Sequence, residues 1–407
     1  NGSPFHVGKR LLREKMVSTR ASDNEVFLAY VNLVGGQDEL VFDGGSVVCN
    51  PEGEIIARGE QFKEHLTIVD LDVESVFRSR LRGPRLRKEQ PNLTGGVRAQ
   101  PVIYVSDLDT QKTKHALDAP TPLPIQNPVD EVYSALVLGT QDYVRKCGFQ
   151  KVLIALSGGI DSTLVATIAV DALGRNNVVG VAMPSRFSSE GSLIDATSLA
   201  KNLGIELLSI PIEEIITAFD HTLEPQFRHT AWGLAEENIQ SRCRGNLIMA
   251  LSNKFGRLVL TTGNKSEMAT GYATIYGDMA GGFAPLKDVP KMLVYRLAEY
   301  RNCLSQVIPQ RVIERPPSAE LAPDQVDEDS LPPYSVLDAI LELYVEQDCS
   351  IEEIIGQGYD AVDVRKLVRL VNMNEYKRRQ TPPGVRITPR AFGRDRRYPI
   401  TSGFRPY

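Results

Sequence analysis

The stretch Ala155-Leu-Ser-Gly-Gly-Ile-Asp-Ser162 lies between an apolar run and a predicted helix. The preceding run, residues 151–156 (KVLIAL), is typical of a buried strand, and residues 163–173 have the pattern of a helix. Gly158 and Gly159 permit a turn in which successive backbone amides point inward, and a helix N-terminus follows at once. The stretch therefore predicts a loop that binds phosphate groups.

Strands and helices alternate around this loop. The predicted helices are 129–147, 163–173 and 189–203, and the predicted strands are 151–156, 178–183, 206–212 and 257–262. Strands joined by helices of this length imply right-handed crossovers and a doubly wound α/β fold with a parallel sheet. Ligands of such sheets bind beyond the carboxyl ends of the strands, where the phosphate loop is predicted to lie.

The first 128 residues have a different pattern. Apolar, β-branched runs predict strands, a charged run predicts a helix, and a basic, Pro-punctuated stretch predicts a connector. The strands are expected within 26–34, 40–49 and 66–71, the helix at 9–20, and the connector at 73–128. A solvated face is the ordinary interpretation of the basic run, and binding of an acidic partner is the alternative.

Length, charge and cysteine usage restrict the class of protein. At 407 residues, two domains are expected. The net charge of −5 argues against general nucleic-acid or membrane-surface binding, so neither partner is expected. The five cysteines include no C-x-x-C pair, which argues against a zinc motif or a disulfide framework and favours a reducing, cytoplasmic compartment.

Asp161 is the unusual member of the predicted phosphate loop. A carboxylate repels a polyphosphate unless a cation lies between them, and Mg²⁺ prefers oxygen ligands. Asp161 is therefore predicted to bind Mg²⁺. No Gly-Lys-Ser or Gly-Lys-Thr follows the glycines, so the loop is not a Walker A motif.

The string SGGIDS resembles the PP-loop of the N-type ATP pyrophosphatases, whose fold is adenine nucleotide alpha hydrolase-like. These enzymes cleave ATP between the α and β phosphates. The resemblance implies AMP transfer to a carboxylate or carbonyl oxygen, followed by displacement with a nitrogen or sulfur nucleophile. It also implies that ATP is bound by eight consecutive residues: Ala155, Leu156, Ser157, Gly158, Gly159, Ile160, Asp161 and Ser162.

Four further stretches resemble blocks of the glutamine-dependent NAD synthetases. They are residues 183–191 (MPSRFSSEG), 237–246 (ENIQSRCRGN), 260–300, which includes TGNKSE and YGDMAGGF, and 374–399. The resemblance implies an NAD synthetase domain at 129–407 that amidates deamido-NAD with ATP. The alternatives are another PP-loop amidoligase, such as a GMP synthetase-like enzyme, and a non-catalytic nucleotide-binding fragment.

Binding roles follow from the same resemblance. Thr262 is expected to contact ATP, and Ser318, in the Pro-rich acidic loop 315–333, is expected to close over the nucleotide. Deamido-NAD is expected to contact three side chains: Asn238, Glu267 and Lys377. For Lys377, which lies in a basic run, the alternative is a solvated face.

Metal and catalytic roles are expected at four positions. Asp161 and Glu267 would hold Mg²⁺, which neutralises part of the phosphate charge. Glu267 has the alternative of a helix N-terminal carboxylate favoured by the helix dipole. Lys291 is a candidate to stabilise charge that develops on the α-phosphate. Asp278 is a candidate to lie beside the pyridine carboxylate or the incoming ammonia.

Residues 3–9 (SPFHVGK) and those that follow resemble the second half of a nitrilase-type glutaminase domain, a carbon–nitrogen hydrolase. The resemblance implies a partial α-β-β-α layer at residues 1–118, with the connector from about residue 73. Ser3 and Lys9 would contact the substrate glutamine.

The family's catalytic Glu, Lys and Cys lie upstream of this string, and Asn1 is not an initiator Met. We therefore expect a fragment that uses ammonia, with glutamine use confined to a longer parent protein. Cys49 lies in an apolar run and is expected to be a buried structural thiol. The resemblance also implies a homo-oligomer, at least a dimer.

Overall fold

The computed structural model describes residues 1–82, 117, 122–317 and 331–403. Residue contacts divide the chain into two compact units. The first unit contains residues 1–3, 8–34 and 42–125, and the second contains residues 4–7, 35–41 and 126–407. The predicted domain bounds, 1–118 and 129–407, stay a prediction. Much of the predicted connector at 73–128 and most of the predicted loop at 315–333 lie outside the described residues.

The first unit packs one helix on an antiparallel sheet. The elements up to residue 58 are α1 (Lys9–Asn24), β1 (Leu28–Tyr30), β2 (Val34–Gln37), β3 (Leu40–Asp43), β4 (Val47–Cys49) and β5 (Ile55–Arg58). The sheet of the first unit has the order β1-β4-β5, while β2 and β3, whose residues 35–41 belong to the second unit, pair with each other. Val17 and Ala21 of α1 pack on Tyr30, Val47 and Cys49 in the apolar core between helix and sheet.

Cys49 is fully buried in this core, as expected of a structural thiol. Burial raises the pKa of the Cys49 thiol, so the reactive thiolate is disfavoured.

Consecutive glycines divide one predicted strand into two. Gly44 and Gly45 have φ values of 61° and 58°, which interrupt the 40–49 run between β3 and β4. The strand predicted at 26–34 is also two strands in the structure, because its residues fall in β1 and β2. The short strand β5 was not predicted.

The prediction of a strand at 66–71 is wrong. These residues form no strand, and the side chains of Leu66 and Ile68 are 81% and 63% exposed. β-propensity describes how a residue fits a paired, half-buried surface, and this run has no such surface. A helix, α2 (Val73–Arg82), follows it.

The second unit is built on a parallel sheet, as predicted. Its strands are β6 (Val152–Ala155), β7 (Val178–Ala182), β8 (Glu206–Ser209) and β9 (Leu258–Leu260), in the order β8-β7-β6-β9. All pairings are parallel. The chain therefore moves from β6 outward to β8 and then returns to the opposite side of β6. The carboxyl ends of β6 and β9 mark the point where the strand order reverses.

Helices supply the crossovers and cover the sheet. They are α3 (Pro128–Lys146), α4 (Ile160–Leu173), α5 (Glu190–Leu203), α6 (Glu213–Phe227) and α7 (Leu234–Phe255). On one face, Leu153, Val179 and Val259 of the sheet pack against Ile216 of α6 and Ile248 of α7. The side chain of Asn127 caps α3 by accepting from the backbone N–H groups of residues 129 and 130.

In the second unit, the described regular elements that follow β9 are helices. The α-helices among them are α8 (Lys265–Thr270), α9 (Lys291–Leu304), α10 (Gln310–Glu314), α11 (Tyr334–Leu341), α12 (Ile351–Gly356), α13 (Ala361–Met373) and α14 (Glu375–Arg378). Leu337, Ile354, Leu367 and Val371 are buried together in a separate apolar core. Over the described ranges, no helix is both long and apolar enough to cross a membrane.

Candidate active site

A cavity of about 400 Å³ lies in the second unit. Residues 155–162 after β6, 182–184 at the end of β7 and 261–263 after β9 all line it. The cavity therefore lies at the carboxyl ends of the strands, next to the reversal of strand order, where open α/β sheets bind their ligands.

The phosphate loop adopts the turn that its glycines predict. Gly158 has a φ of 80°, and a Cβ atom there would lie 2.3 Å from the carbonyl oxygen of Ser192 in α5. Gly159 is the N-cap residue of α4. The hydroxyl of Ser162 donates to the carbonyl of Gly159 at 3.0 Å and lies 3.2 Å from the hydroxyl of Ser157. Glycine is required at position 158 both by the backbone conformation and by the packing on α5.

A buried ammonium group joins the two predicted metal ligands. Lys291, the first residue of α9, is 2% exposed, and its Nζ contacts Asp161 Oδ2 and lies 3.6 Å from Glu267 Oε1. Burial on its own lowers the pKa of Lys291, but the two carboxylates outweigh burial and hold the pKa above its usual value. The amide of Asn264 donates to the other oxygen of Asp161 at 2.9 Å. Lys291 is therefore a fixed positive charge in the cavity wall.

Glu267 also has the structural role that sequence analysis offered as its alternative. It forms a capping box with Asn264: the Asn264 side chain accepts from the Glu267 N–H, and Glu267 Oε2 accepts from the Asn264 N–H. The other carboxylate oxygen, Oε1, is the one near Lys291. The cap therefore orients Glu267 toward the cavity.

Asp278 lines the same cavity, held by the loop on which it lies. Its Oδ1 accepts from the Thr274 N–H at 2.7 Å, and its own N–H donates to the Ser241 hydroxyl at 3.1 Å. The side chain of Asp278 is exposed to the cavity, and desolvation by the surrounding cavity wall raises its pKa to about 6. The Thr274 hydrogen bond and the positive charge of Lys377 oppose this shift. The group therefore changes charge near neutral pH.

Lys377 contacts the end of α8. Its Nζ donates to the carbonyl oxygens of Gly271 at 2.6 Å and Ala273 at 2.9 Å. Burial lowers the pKa of Lys377, and the nearby carboxylate of Asp278 opposes this shift. The solvated-face alternative is wrong for this lysine, because its side chain is half-buried in the cavity wall.

Nearly all predicted site residues of the second unit line this one cavity. These are the phosphate loop 155–162 together with Asn238, Thr262, Glu267, Asp278, Lys291 and Lys377. Ser3 and Lys9 belong to the first unit and do not line it. Ser318 lies outside the described residues.

Several lining residues were not predicted as site residues, among them Thr274, Ser241 and Arg244. Thr274 donates from its hydroxyl to Asn238 Oδ1 at 2.7 Å, and Ser241 accepts from the Asp278 N–H. Arg244 donates to the carbonyl of Met183 at 3.1 Å. Ser241 lies three residues beyond Asn238 on α7, so helical spacing from Asn238 would have indicated it. Arg244 lies six residues beyond Asn238, a spacing that does not place the two on one face. Thr274 carried no comparable signal.

Comparisons with known proteins agree with this geometry. A family model described as NAD synthase matches residues 132–381, and one described as carbon-nitrogen hydrolase matches residues 3–80. A glutamine-dependent NAD(+) synthetase of Aquifex aeolicus is 51% identical over 99% of this chain and 70% of its own length.

The chain belongs to the glutamine-dependent NAD(+) synthetase family. The synthetase of Thermotoga maritima is 50% identical over all of this chain and 69% of its own. A solved glutamine-dependent NAD+ synthetase of Acinetobacter baumannii, in complex with ADP, has 43% identity and a TM-score of 0.66, covering 99% of this chain and 67% of that one. As a synthetase of this family, the protein is an ATP-dependent carbon–nitrogen ligase.

Gly158→Ala is expected to lower the affinity of this synthetase for ATP at least about tenfold, measured by isothermal titration calorimetry. The new Cβ would lie 2.3 Å from a backbone oxygen, so the loop or α5 must move. A left-handed residue other than glycine adds strain of about 1–2 kcal/mol.

Gly148→Ala is the matched control. Gly148 has a φ of 83°, but a Cβ there meets nothing within 4 Å, so only the backbone strain remains. Equal ATP affinities for the two variants would contradict the role assigned to the contact with Ser192.

Proposed function

We propose that this cavity amidates deamido-NAD: ATP, deamido-NAD and ammonia give NAD, AMP and pyrophosphate. One observation carries the proposal. A phosphate loop, a buried ammonium (Lys291) and a carboxylate with a pKa of about 6 (Asp278) line a single cavity. Activation of a carboxylate by ATP and attack by ammonia need these three groups together.

In the first step, an oxygen of the pyridine carboxylate attacks the α-phosphorus of ATP, and the bond to the β-phosphate oxygen breaks. The product is an adenylated deamido-NAD, and pyrophosphate leaves. The backbone amides of residues 157–160 and the hydroxyls of Ser157 and Ser162 are proposed to bind the phosphate oxygens. Lys291 supplies fixed positive charge for the α-phosphate as charge develops there.

In the second step, ammonia attacks the acyl carbon, AMP leaves with the acyl oxygen, and the nitrogen loses a proton. Asp278, in its ionised form, is the group in the cavity wall suited to accept that proton. Asn238, Glu267 and Lys377, which line the same cavity, are proposed to bind deamido-NAD, and Thr262 to bind ATP.

Asp161 and Glu267 are proposed to hold Mg²⁺. Over the described ranges, no three His, Cys, Asp or Glu side chains cluster as a complete metal site. Mg²⁺ is commonly bound through one or two carboxylates plus the phosphates of a substrate, so this pair of carboxylates fits it. When bound, the ion neutralises phosphate charge.

The finer predictions about nitrogen source and assembly stay predictions. Neither the comparisons nor the described residues support the expectation that this 407-residue chain uses ammonia but not glutamine. Ser3 and Lys9 as glutamine contacts, the homo-oligomer and the cytoplasmic location likewise await measurement.

The function is tested by NAD formation from ATP and Mg²⁺ with each of three acids: deamido-NAD, nicotinate mononucleotide and xanthosine monophosphate. Ammonium and glutamine are compared as nitrogen sources. NAD formed from deamido-NAD, with one pyrophosphate released per NAD, is the expected result. Turnover of another acid in preference to deamido-NAD would overturn the proposal, and NAD formed from glutamine would contradict the ammonia-only expectation.

Asp161→Asn is expected to reduce pyrophosphate release at least about 100-fold, because it removes a metal ligand and a partner of Lys291. The decisive measurement is ATP affinity with and without Mg²⁺. Mg²⁺ should tighten ATP binding by the unsubstituted chain and have little effect on the variant. An equal effect of Mg²⁺ on both would show that Asp161 does not bind the ion.

Asp278 is expected to set an acidic limit on activity. Its pKa of about 6 lies above the usual value, so the carboxylate is ionised above about pH 6 and becomes protonated below it. The rate of NAD formation should therefore fall as the pH drops through 6. Asp278→Asn should lower kcat about 100-fold or more and leave the residual rate independent of pH in this range.

Asp360→Asn is the control for this titration. Asp360 caps α13 outside the cavity wall, and asparagine caps helices equally well. This variant should keep the acidic limb. An Asp278→Asn enzyme that retained the limb would assign the titration to another group.

A further inference from the structure

The loop 274–278 is fixed on one face of α7. Three α7 residues with helical spacing form the contact: Asn238, Ser241 and Gly245. A Cβ atom on Gly245 would lie 2.6 Å from the carbonyl oxygen of Tyr276, and one on Gly277 would lie 2.2 Å from the Ser241 hydroxyl. Glycines at both positions therefore allow the loop to lie directly against the helix.

Thr274 begins this loop and makes two hydrogen bonds that point to different groups of the cavity. Its hydroxyl donates to Asn238 Oδ1 at 2.7 Å, and its backbone N–H donates to Asp278 Oδ1 at 2.7 Å. Thr274 is only 7% exposed and lines the cavity. A single buried residue thus connects the side chains proposed for substrate binding and for proton transfer.

The hydroxyl bond has a chemical consequence for Asn238. A hydroxyl can both donate and accept, so the Thr274 hydroxyl can bond either end of the Asn238 side-chain amide, and this bond ties the amide to the loop. One end of the amide is then held at Thr274, and the opposite end is left to meet a ligand. Without the threonine hydroxyl, the side chain of Asn238 loses this anchor and can adopt other rotamers.

We propose that Thr274 is a positioning residue that holds the side chain of Asn238 in place for binding deamido-NAD, through its hydroxyl alone. The backbone N–H of Thr274 separately holds Asp278. This inference rests on the proposed function. Thr274 has one role through its hydroxyl and another through its backbone N–H. Substitution can separate the two, because Thr274→Val removes the hydroxyl and keeps the N–H.

The test is a double-mutant cycle with Thr274→Val and Asn238→Ala, measured as KM for deamido-NAD, kcat and the acidic limb of the pH profile. Thr274→Val should raise KM about fivefold, the effect of one hydrogen bond of ordinary strength. We expect kcat within about twofold and an unchanged acidic limb. In the Asn238→Ala background, Thr274→Val should have no further effect on KM. Thr274→Ser, which restores the hydroxyl, should restore KM.

Thr167→Val is the matched control. Thr167 is fully buried in α4, and its hydroxyl donates to the Thr163 carbonyl at 2.8 Å, away from the cavity. The same chemical change there should leave KM unchanged.

Two results would overturn the inference: equal effects of Thr274→Val with and without Asn238, or a fall in kcat at constant KM. If the unsubstituted chain makes no NAD, the proposed function fails on its own, and the cycle is then measured by equilibrium binding of deamido-NAD. A loss of affinity that depends on Asn238 would still support the inference. Additive losses, or no binding by the unsubstituted chain, would overturn it.

Discussion

The buried ammonium of Lys291 is the interaction on which the site depends. It joins the phosphate loop through Asp161 and the capped start of α8 through Glu267, while its own backbone N–H donates to Ser266 at 2.9 Å. A buried charge without partners costs several kcal/mol, so the three elements are stable only in the arrangement that brings both carboxylates to the lysine. The pairing of Lys291 with two carboxylates, which the proposed chemistry uses, and the packing of the three elements therefore require the same geometry.

The parts of the fold that sequence predicted correctly are those whose signal is local. The glycines at 158 and 159, the apolar strand before them and the helix after them specify the phosphate loop without reference to distant residues. The prediction at 66–71 failed for the complementary reason. Its apolar residues fit a strand, but a strand also requires a partner, and partners are set by the whole fold.

The same distinction explains which site residues sequence analysis missed. Asp161 and Glu267 carry carboxylates within motifs that resemble a known family. Chemistry and that resemblance were therefore enough to indicate both residues as candidate metal ligands. Thr274 is an ordinary loop threonine until α7 places Asn238 within hydrogen-bond distance of its hydroxyl. The contact that gives Thr274 its positioning role spans 36 residues, and sequence spacing in a loop does not encode it.

Family matches and structural units divide the chain differently. The carbon-nitrogen hydrolase match covers residues 3–80, yet residues 35–41 belong to the unit that holds the synthetase match. Within that unit, Glu39 Oε1 lies 3.7 Å from Nζ of Lys287, a lysine of the cavity wall, and the Glu39 carbonyl accepts from the Arg386 N–H at 2.8 Å.

Burial lowers the pKa of Lys287, and the carboxylate of Glu39 opposes that shift. The charge state of Lys287, in the cavity wall, thus depends on Glu39, which lies in the region matched by the carbon-nitrogen hydrolase model. A boundary drawn between residues 80 and 132 would separate a pair that the structure holds together, so the electrostatics of the synthetase cavity include residues from both matched regions.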